Sequence, residues 1–113
     1  KNNDGPYDFN VGDKVRLNPN HLNDVKQFYE SDEFKIYKSK VKKYLNKVGV
    51  IIGFTHPDMC GLPDGVDDPD VENLNKNHPD ACFARVKFED GKVLNIEAGN
   101  GAYDSVEGII KER

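Results

Sequence analysis

Asp90-Gly91 stands between two runs of alternating side chains, and no other feature of the chain limits its fold as tightly. Before it comes Ala81-Cys82-Phe83-Ala84-Arg85-Val86-Lys87-Phe88-Glu89, where Cys82, Ala84, Val86 and Phe88 share one parity and Arg85, Lys87 and Glu89 the other. After it comes Lys92-Val93-Leu94-Asn95-Ile96-Glu97. Successive side chains of a strand point to opposite faces, so the first run turns an apolar face to a core and a charged face to water. Aspartate followed by glycine supplies the backbone that a tight turn between two such strands requires. The pattern predicts an antiparallel hairpin across Asp90-Gly91.

The period of two recurs upstream. In Phe9-Asn10-Val11-Gly12-Asp13-Lys14-Val15-Arg16-Leu17, Val11, Val15 and Leu17 face one way and Lys14 and Arg16 the other. Gly12-Asp13 reads as a turn feeding this strand, and Asn18-Pro19-Asn20 ends it because proline donates nothing to a ladder. Val48-Gly49-Val50-Ile51-Ile52-Gly53-Phe54 is short, β-branched and bounded by glycines, which fits a buried, bent strand. Tyr103-Asp104-Ser105-Val106-Glu107-Gly108-Ile109-Ile110 supplies a turn of helix and a short last strand, so the count reaches five.

Between the first two strands the spacing changes to three and four. Leu22, Val25, Phe28 and Tyr29, then Phe34, Tyr37, Val41, Tyr44 and Leu45, fall on helical faces, and residues 21–47 are expected to form a helical hairpin. Ser31, Asp32 and Glu33 suit the start of its second helix, and Lys42, Lys43 and Lys47 suit the end. Residues 56–80 hold four of the six prolines and no period, hence a long acidic loop between strands 2 and 3. The whole is mainly β with a helical insert, an α+β chain, and its 113 residues suit one domain over residues 1–113.

The net charge of -4 argues against whole-surface binding to nucleic acid, which depends on an excess of lysine and arginine. The charges are segregated, however. Residues 35–47 carry six lysines and no acid, whereas residues 58–72 carry six acids and no base. No apolar run approaches the roughly 18 to 20 residues of a membrane span, and Lys1-Asn2-Asn3-Asp4-Gly5-Pro6 lacks the apolar stretch of a signal peptide. The expectation is a soluble, cytoplasmic chain that does not enter a membrane.

Taken together, Val11-Gly12-Asp13-Lys14-Val15-Arg16, Val48-Gly49-Val50-Ile51 and Arg85-Val86-Lys87-Phe88-Glu89-Asp90-Gly91 resemble the strands of SH3-like barrels of the KOW and Tudor kind. The resemblance implies a small five-stranded SH3-like barrel. It departs from the family where a helical segment replaces an open loop. It supplies no ligand residues, because the aromatic cage of methyl-lysine readers maps to no definite positions here.

Several groups of residues have chemistry to offer. His56-Pro57-Asp58-Met59-Cys60 and His78-Pro79-Asp80-Ala81-Cys82 repeat one pattern at the two ends of the acidic loop. His56, Cys60, His78 and Cys82 match the ligand set of a tetrahedral structural zinc site, although not its usual spacing. Two alternatives stay open: a Cys60–Cys82 disulfide in an oxidising, secreted setting, or a repeated turn tripeptide beside a core cysteine with no cofactor at all. Asp64-Gly65-Val66-Asp67-Asp68-Pro69-Asp70 lacks the order of a calcium loop and reads as a solvated segment. Walker, nucleophile-elbow and zincin motifs are missing from the sequence, so the expected role is not enzymatic.

The leading expectation is an interaction module that binds a protein partner. The alternatives are a nucleic-acid-binding domain and a small zinc-stabilised accessory domain. For either kind of macromolecule the candidate contacts are Lys35, Lys38, Lys40, Lys42, Lys43 and Lys47, with Arg16, Arg85 and Lys87.

Overall fold

A computed structural model of the chain describes residues 9–20, 31–56, 72–98 and 108–112. In chain order its elements are β1 (Lys14–Leu17), α1 (Ser31–Lys43), β2 (Val48–Thr55), β3 (Phe83–Phe88), β4 (Val93–Glu97) and β5 (Ile109–Lys111). The strands form one antiparallel sheet in the order β4-β3-β2-β1-β5. This agrees with the mainly β reading and its five strands. The expected first helix, most of the acidic loop and the turn of helix before β5 lie outside the described residues.

The hairpin forms where the alternation placed it. Val86 pairs with Leu94 and Lys87 with Val93, and the turn closes through Phe88 N–H to Lys92 O (2.8 Å) and Gly91 N–H to Phe88 O (2.9 Å). Gly91 has φ +90°, a conformation in which a Cβ is strained. Asp90 Oδ1 accepts Lys92 N–H at 3.0 Å, which fixes the turn from its first residue.

One face of the sheet carries the core. Val15, Leu17, Ile51, Phe54, Ala84, Val86, Phe88, Leu94, Ile96 and Ile109 point inward and are buried. Each fully buried aliphatic or aromatic side chain stabilises by about 1.5–3 kcal/mol relative to exposure. α1 closes this side with Val41, and Tyr44, the first residue after the helix, buries a second side chain beside it, in agreement with the helical spacing. The Tyr44 ring stacks on Phe88 with centroids 4.5 Å apart, and its hydroxyl donates to Asp90 Oδ2 at 2.9 Å. The helix ends at Lys43; bonds from Tyr44 N–H to Val41 O and from Lys47 N–H to Tyr44 O tighten the chain into β2.

β2 is the longest strand, and its register with β3 shifts between Ile51 and Gly53, so Ile52 is the extra residue of a bulge. A bulge bends a strand and increases its twist, which is the physical content of the expected bent strand. β1 and its turn cover the far edge of β2 only as far as Ile51, through Gly12 N–H to Ile51 O and Ile51 N–H to Asp13 O. Further along, the returning loop takes over: Leu74 N–H donates to Phe54 O at 2.6 Å, and Phe54 N–H donates to Asn73 Oδ1 at 3.2 Å.

β4 and β5 are the sheet edges and do not pair with each other in a ladder, while Gly108 N–H, just before β5, donates to Glu97 O at the end of β4. Two expectations change. Val11 is 62% exposed instead of lining the core, because the Asn10–Asp13 turn intervenes before the strand and resets its parity. Arg85, expected in water beside Lys87, is 7% exposed. It pairs across the sheet with Gly53 and Asn95, and this half of the second face is itself covered, with Thr55, Phe83 and Asn95 also buried.

Candidate functional site

The outer face of the sheet divides into a covered half and an open half. Pairing of Arg16 with Val48 on one side and Ile110 on the other sets the three residues in one row across β5, β1 and β2. Pairing of Val50 with Lys14 and Lys87 makes the next row across β1, β2 and β3. Val48 and Ile110 are 39% and 43% exposed, and Lys14, Arg16 and Lys87 are exposed with them. Arg16 Nε bonds Glu112 Oε1 at 2.6 Å, a solvent-exposed pair. Such pairs contribute about 0–1 kcal/mol to stability, so this one orients the guanidinium more than it holds the fold.

The other cations stand elsewhere. Val41 of α1 and Tyr44 just after it pack in the core on the inner side of the sheet, so the helix and its lysines lie on the opposite side of the sheet from Arg16 and Lys87. Lys35, Lys38, Lys42, Lys43 and Lys47 are exposed and Lys40 half-buried. Asp90 interrupts the positive region at the helix end. Its carboxyl is held below the ordinary value of 3.8 by the Lys92 N–H, then by the Tyr44 hydroxyl and the charges of Lys92 and Lys47, against a desolvation effect that raises it. With Arg85 buried, the nine candidate cations occupy three environments instead of one surface.

The proposed zinc ligands are only partly described. His56 Nε2 lies 3.1 Å from Glu72 Oε1, His78 Nδ1 accepts Asp80 N–H at 3.1 Å, and Cys82 is buried at the entry to β3. Cys60 lies outside the described residues, as does the 64–70 acidic run, so neither the four-ligand set nor the disulfide has a described geometry. Among the described residues no three histidine, cysteine or acidic side chains cluster as a metal site would.

A groove that the sequence reading did not identify opens beside the bulge. It measures about 460 Å³ and lies between the Asn10-Val11 turn and residues 73–76, over Ile52 and Gly53. Asn73 forms one wall by packing on Gly53, where a Cβ would overlap its Oδ1 and stand 2.7 Å from its Cγ. Lys76 ties the two walls together, with Nζ donating to Asn10 Oδ1 at 2.6 Å and to Phe9 O at 3.3 Å. The sequence signal was the alternation Asn73-Leu74-Asn75: Leu74 packs on the core, and the asparagines of opposite parity line the groove.

Among the described residues no helix is long and apolar enough to cross a membrane. Compared with known protein families, with curated proteins and with solved structures, the chain matches none.

Proposed function

We propose that the chain is a non-enzymatic interaction module that binds a protein partner through the open half of its outer sheet face. The observation that carries this reading is the row Ile110-Arg16-Val48, two exposed aliphatic side chains on either side of a guanidinium in register on three adjacent strands. Single exposed aliphatics are ordinary on a surface. Two beside an arginine, with Lys14 and Lys87 in the next row, have the apolar centre and charged surround of an interface. The cations favour a partner with acidic side chains around an apolar contact, because complementary charge speeds encounter and fixes register.

The test is selection of displayed random dodecapeptides on the whole chain, with Ile110→Asp and Val48→Asp as comparison proteins. The expected binders carry Asp or Glu beside an apolar residue and lose at least about tenfold in affinity, about 1.4 kcal/mol, on either substitution. Binders indifferent to both substitutions would reject the face.

A second reading, nucleic-acid binding by α1, draws on the exposed lysines at 35, 38, 42 and 43. Phosphate contacts make log K fall with log salt by about 0.9 per contact on duplex DNA. Absence of oligonucleotide binding at low salt removes this reading. We also propose that residues 21–47 complete a helical hairpin, that the chain works in the cytoplasm, and that the sheet curls as an SH3-like barrel does. The bulge at Ile52 supports the curl. So does Gly108, whose N–H donates to Glu97 O at the end of β4 and whose carbonyl accepts from Asn18 just after β1.

A further inference from the structure

We infer that Glu112 is a built-in competitor for a carboxylate of the partner: it occupies Arg16 in the free chain and gives way when an acidic side chain docks on the open half of the outer face. This rests on the sheet-face reading and deepens it, because it names the group that a partner must bring. Register sets the contact. Arg16 pairs with Ile110 across β1 and β5, and the pairing runs on past β5, with Glu112 N–H donating to Lys14 O at 2.8 Å. Residues two apart on an extended chain share a face, so Glu112 stands beside Ile110 and diagonal to Arg16. Its Oε1 meets Arg16 Nε at 2.6 Å, with the arginine side chain 52% exposed and the glutamate 33%. A carboxylate is thus already seated on the guanidinium at the centre of the row Ile110-Arg16-Val48.

Chemistry decides what can replace it. The guanidinium is always charged and only donates, so what it binds best is another carboxylate. An apolar segment that covered Ile110 and Val48 without an acid would strip water from the Arg16–Glu112 pair and offer nothing in exchange. A segment with a carboxylate beside its apolar side chain offers the arginine an equivalent bond, and the exposed Lys14 and Lys87 in the next row attract it. The internal pair is solvent-exposed and weak, which keeps the exchange reversible. Its occupancy still lowers apparent affinity, since only chains with Arg16 released are ready to bind. For an exposed pair that fraction is about one half to one sixth, so the competitor weakens the partner about two- to sixfold.

The experiment takes the tightest acidic dodecapeptide from display selection on the whole chain and measures its affinity by isothermal titration calorimetry for wild type, Glu112→Gln, Arg16→Gln, the double variant and Ile110→Asp. Glu112→Gln is expected to keep the wild-type melting temperature within a few degrees and to bind the peptide about two- to sixfold more tightly. In the Arg16→Gln background that gain is expected to vanish, because the competitor acts through the guanidinium and not through net charge. Replacing the acids of the peptide by Asn and Gln is expected to weaken it at least about tenfold on wild type. The Arg16 Nε–H resonance of labelled chain should differ between wild type and Glu112→Gln when free and coincide once both are saturated with peptide. Unchanged or weaker binding by Glu112→Gln, an equal gain in the Arg16→Gln background, undiminished binding of the amide peptide, or Nε–H resonances still apart at saturation would each overturn the inference. Sensitivity of the same peptide to Ile110→Asp would then leave the sheet-face reading standing, whereas peptides indifferent to Ile110→Asp would remove both.

Discussion

Replacing Gly53 with alanine tests the register, the bulge and the loop return together. An added Cβ would overlap Asn73 Oδ1 and stand 2.7 Å from Cγ and 2.8 Å from Nδ2. Carbon needs about 3.5–4.0 Å of separation at its optimum, so the amide must retreat by roughly 1 Å. Retreat costs the bond to Phe54 N–H, a group on a residue 2% exposed. A buried donor left unsatisfied costs about 1–3 kcal/mol, and alanine returns about 0.4–1 kcal/mol by restricting the unfolded chain. The net expectation for Gly53→Ala is a loss of about 1–2 kcal/mol by these two terms, or a fall of roughly 0.5–1 M in the urea midpoint.

Urea unfolding followed by far-UV circular dichroism measures it, the chain having no tryptophan. Asn73→Ala loses the same hydrogen bond and removes the obstacle, so Gly53→Ala in that background should be neutral or slightly stabilising. The cycle should then show a coupling of about 1–2 kcal/mol. A Gly53→Ala protein as stable as wild type, or two substitutions that simply add, would show that Asn73 does not sit against Gly53.

Three further outcomes follow from the other side of the sheet. Tyr44→Ala removes a side chain 5% exposed and stacked on Phe88, and should cost about 3–5 kcal/mol in the same assay, the range for large aromatic truncations; a loss below about 1 kcal/mol would mean that α1 does not pack there. Gly91→Ala forces a Cβ onto a residue at φ +90° and should cost about 1–2 kcal/mol by backbone strain, with no loss observed if the turn is built otherwise. Asp90 titrates below its ordinary 3.8 in the folded chain, so between the two values the unfolded chain binds more protons. Its stabilising contribution is complete above the unfolded value and disappears as pH falls through the folded one. Stability measured at successive acid pH should therefore depend less steeply on pH in Asp90→Asn; parallel profiles would contradict the Lys92 and Tyr44 contacts.

How much the sequence revealed depended on whether a residue's environment was set locally. Asp90-Gly91 and the alternation on either side fix a hairpin within a few residues, and Val41 and Tyr44 reach the core because helical spacing puts them on one face. Val11 failed because parity was counted through a turn. Arg85 failed for a reason that lies far away in sequence: alternation assigns it to the second face but does not say that this face is dry there. The dryness comes with Gly53 standing opposite, and that pairing depends on one extra residue, Ile52, in β2. Lys35, Lys38, Lys42 and Lys43 were correctly read as exposed, with Lys40 half-buried, yet the side of the sheet on which the helix docks is a tertiary fact, and it separates them from Arg16 and Lys87.

The groove follows from the same mismatch of lengths. β2 runs eight residues and β1 four, so β1 cannot complete the edge of its neighbour. Ile51 accepts from Gly12 N–H and donates to Asp13 O, and Phe54 accepts from Leu74 N–H and donates to Asn73 Oδ1. The bulge lies between these two points of support, where the walls part. Lys76 then spans the gap to Asn10, so the turn before β1 and the return of the loop are held at a set separation by a side chain and not by a ladder. A groove assembled this way is coupled to the fold, because the contacts that set its walls apart also hold the loop return against β2. A substitution that loosens Asn73 therefore loosens both the wall of the groove and the loop return. The outer face therefore has a covered half, where Asn73 lies over Gly53, and an exposed half, where Val48, Arg16 and Ile110 stand in one row.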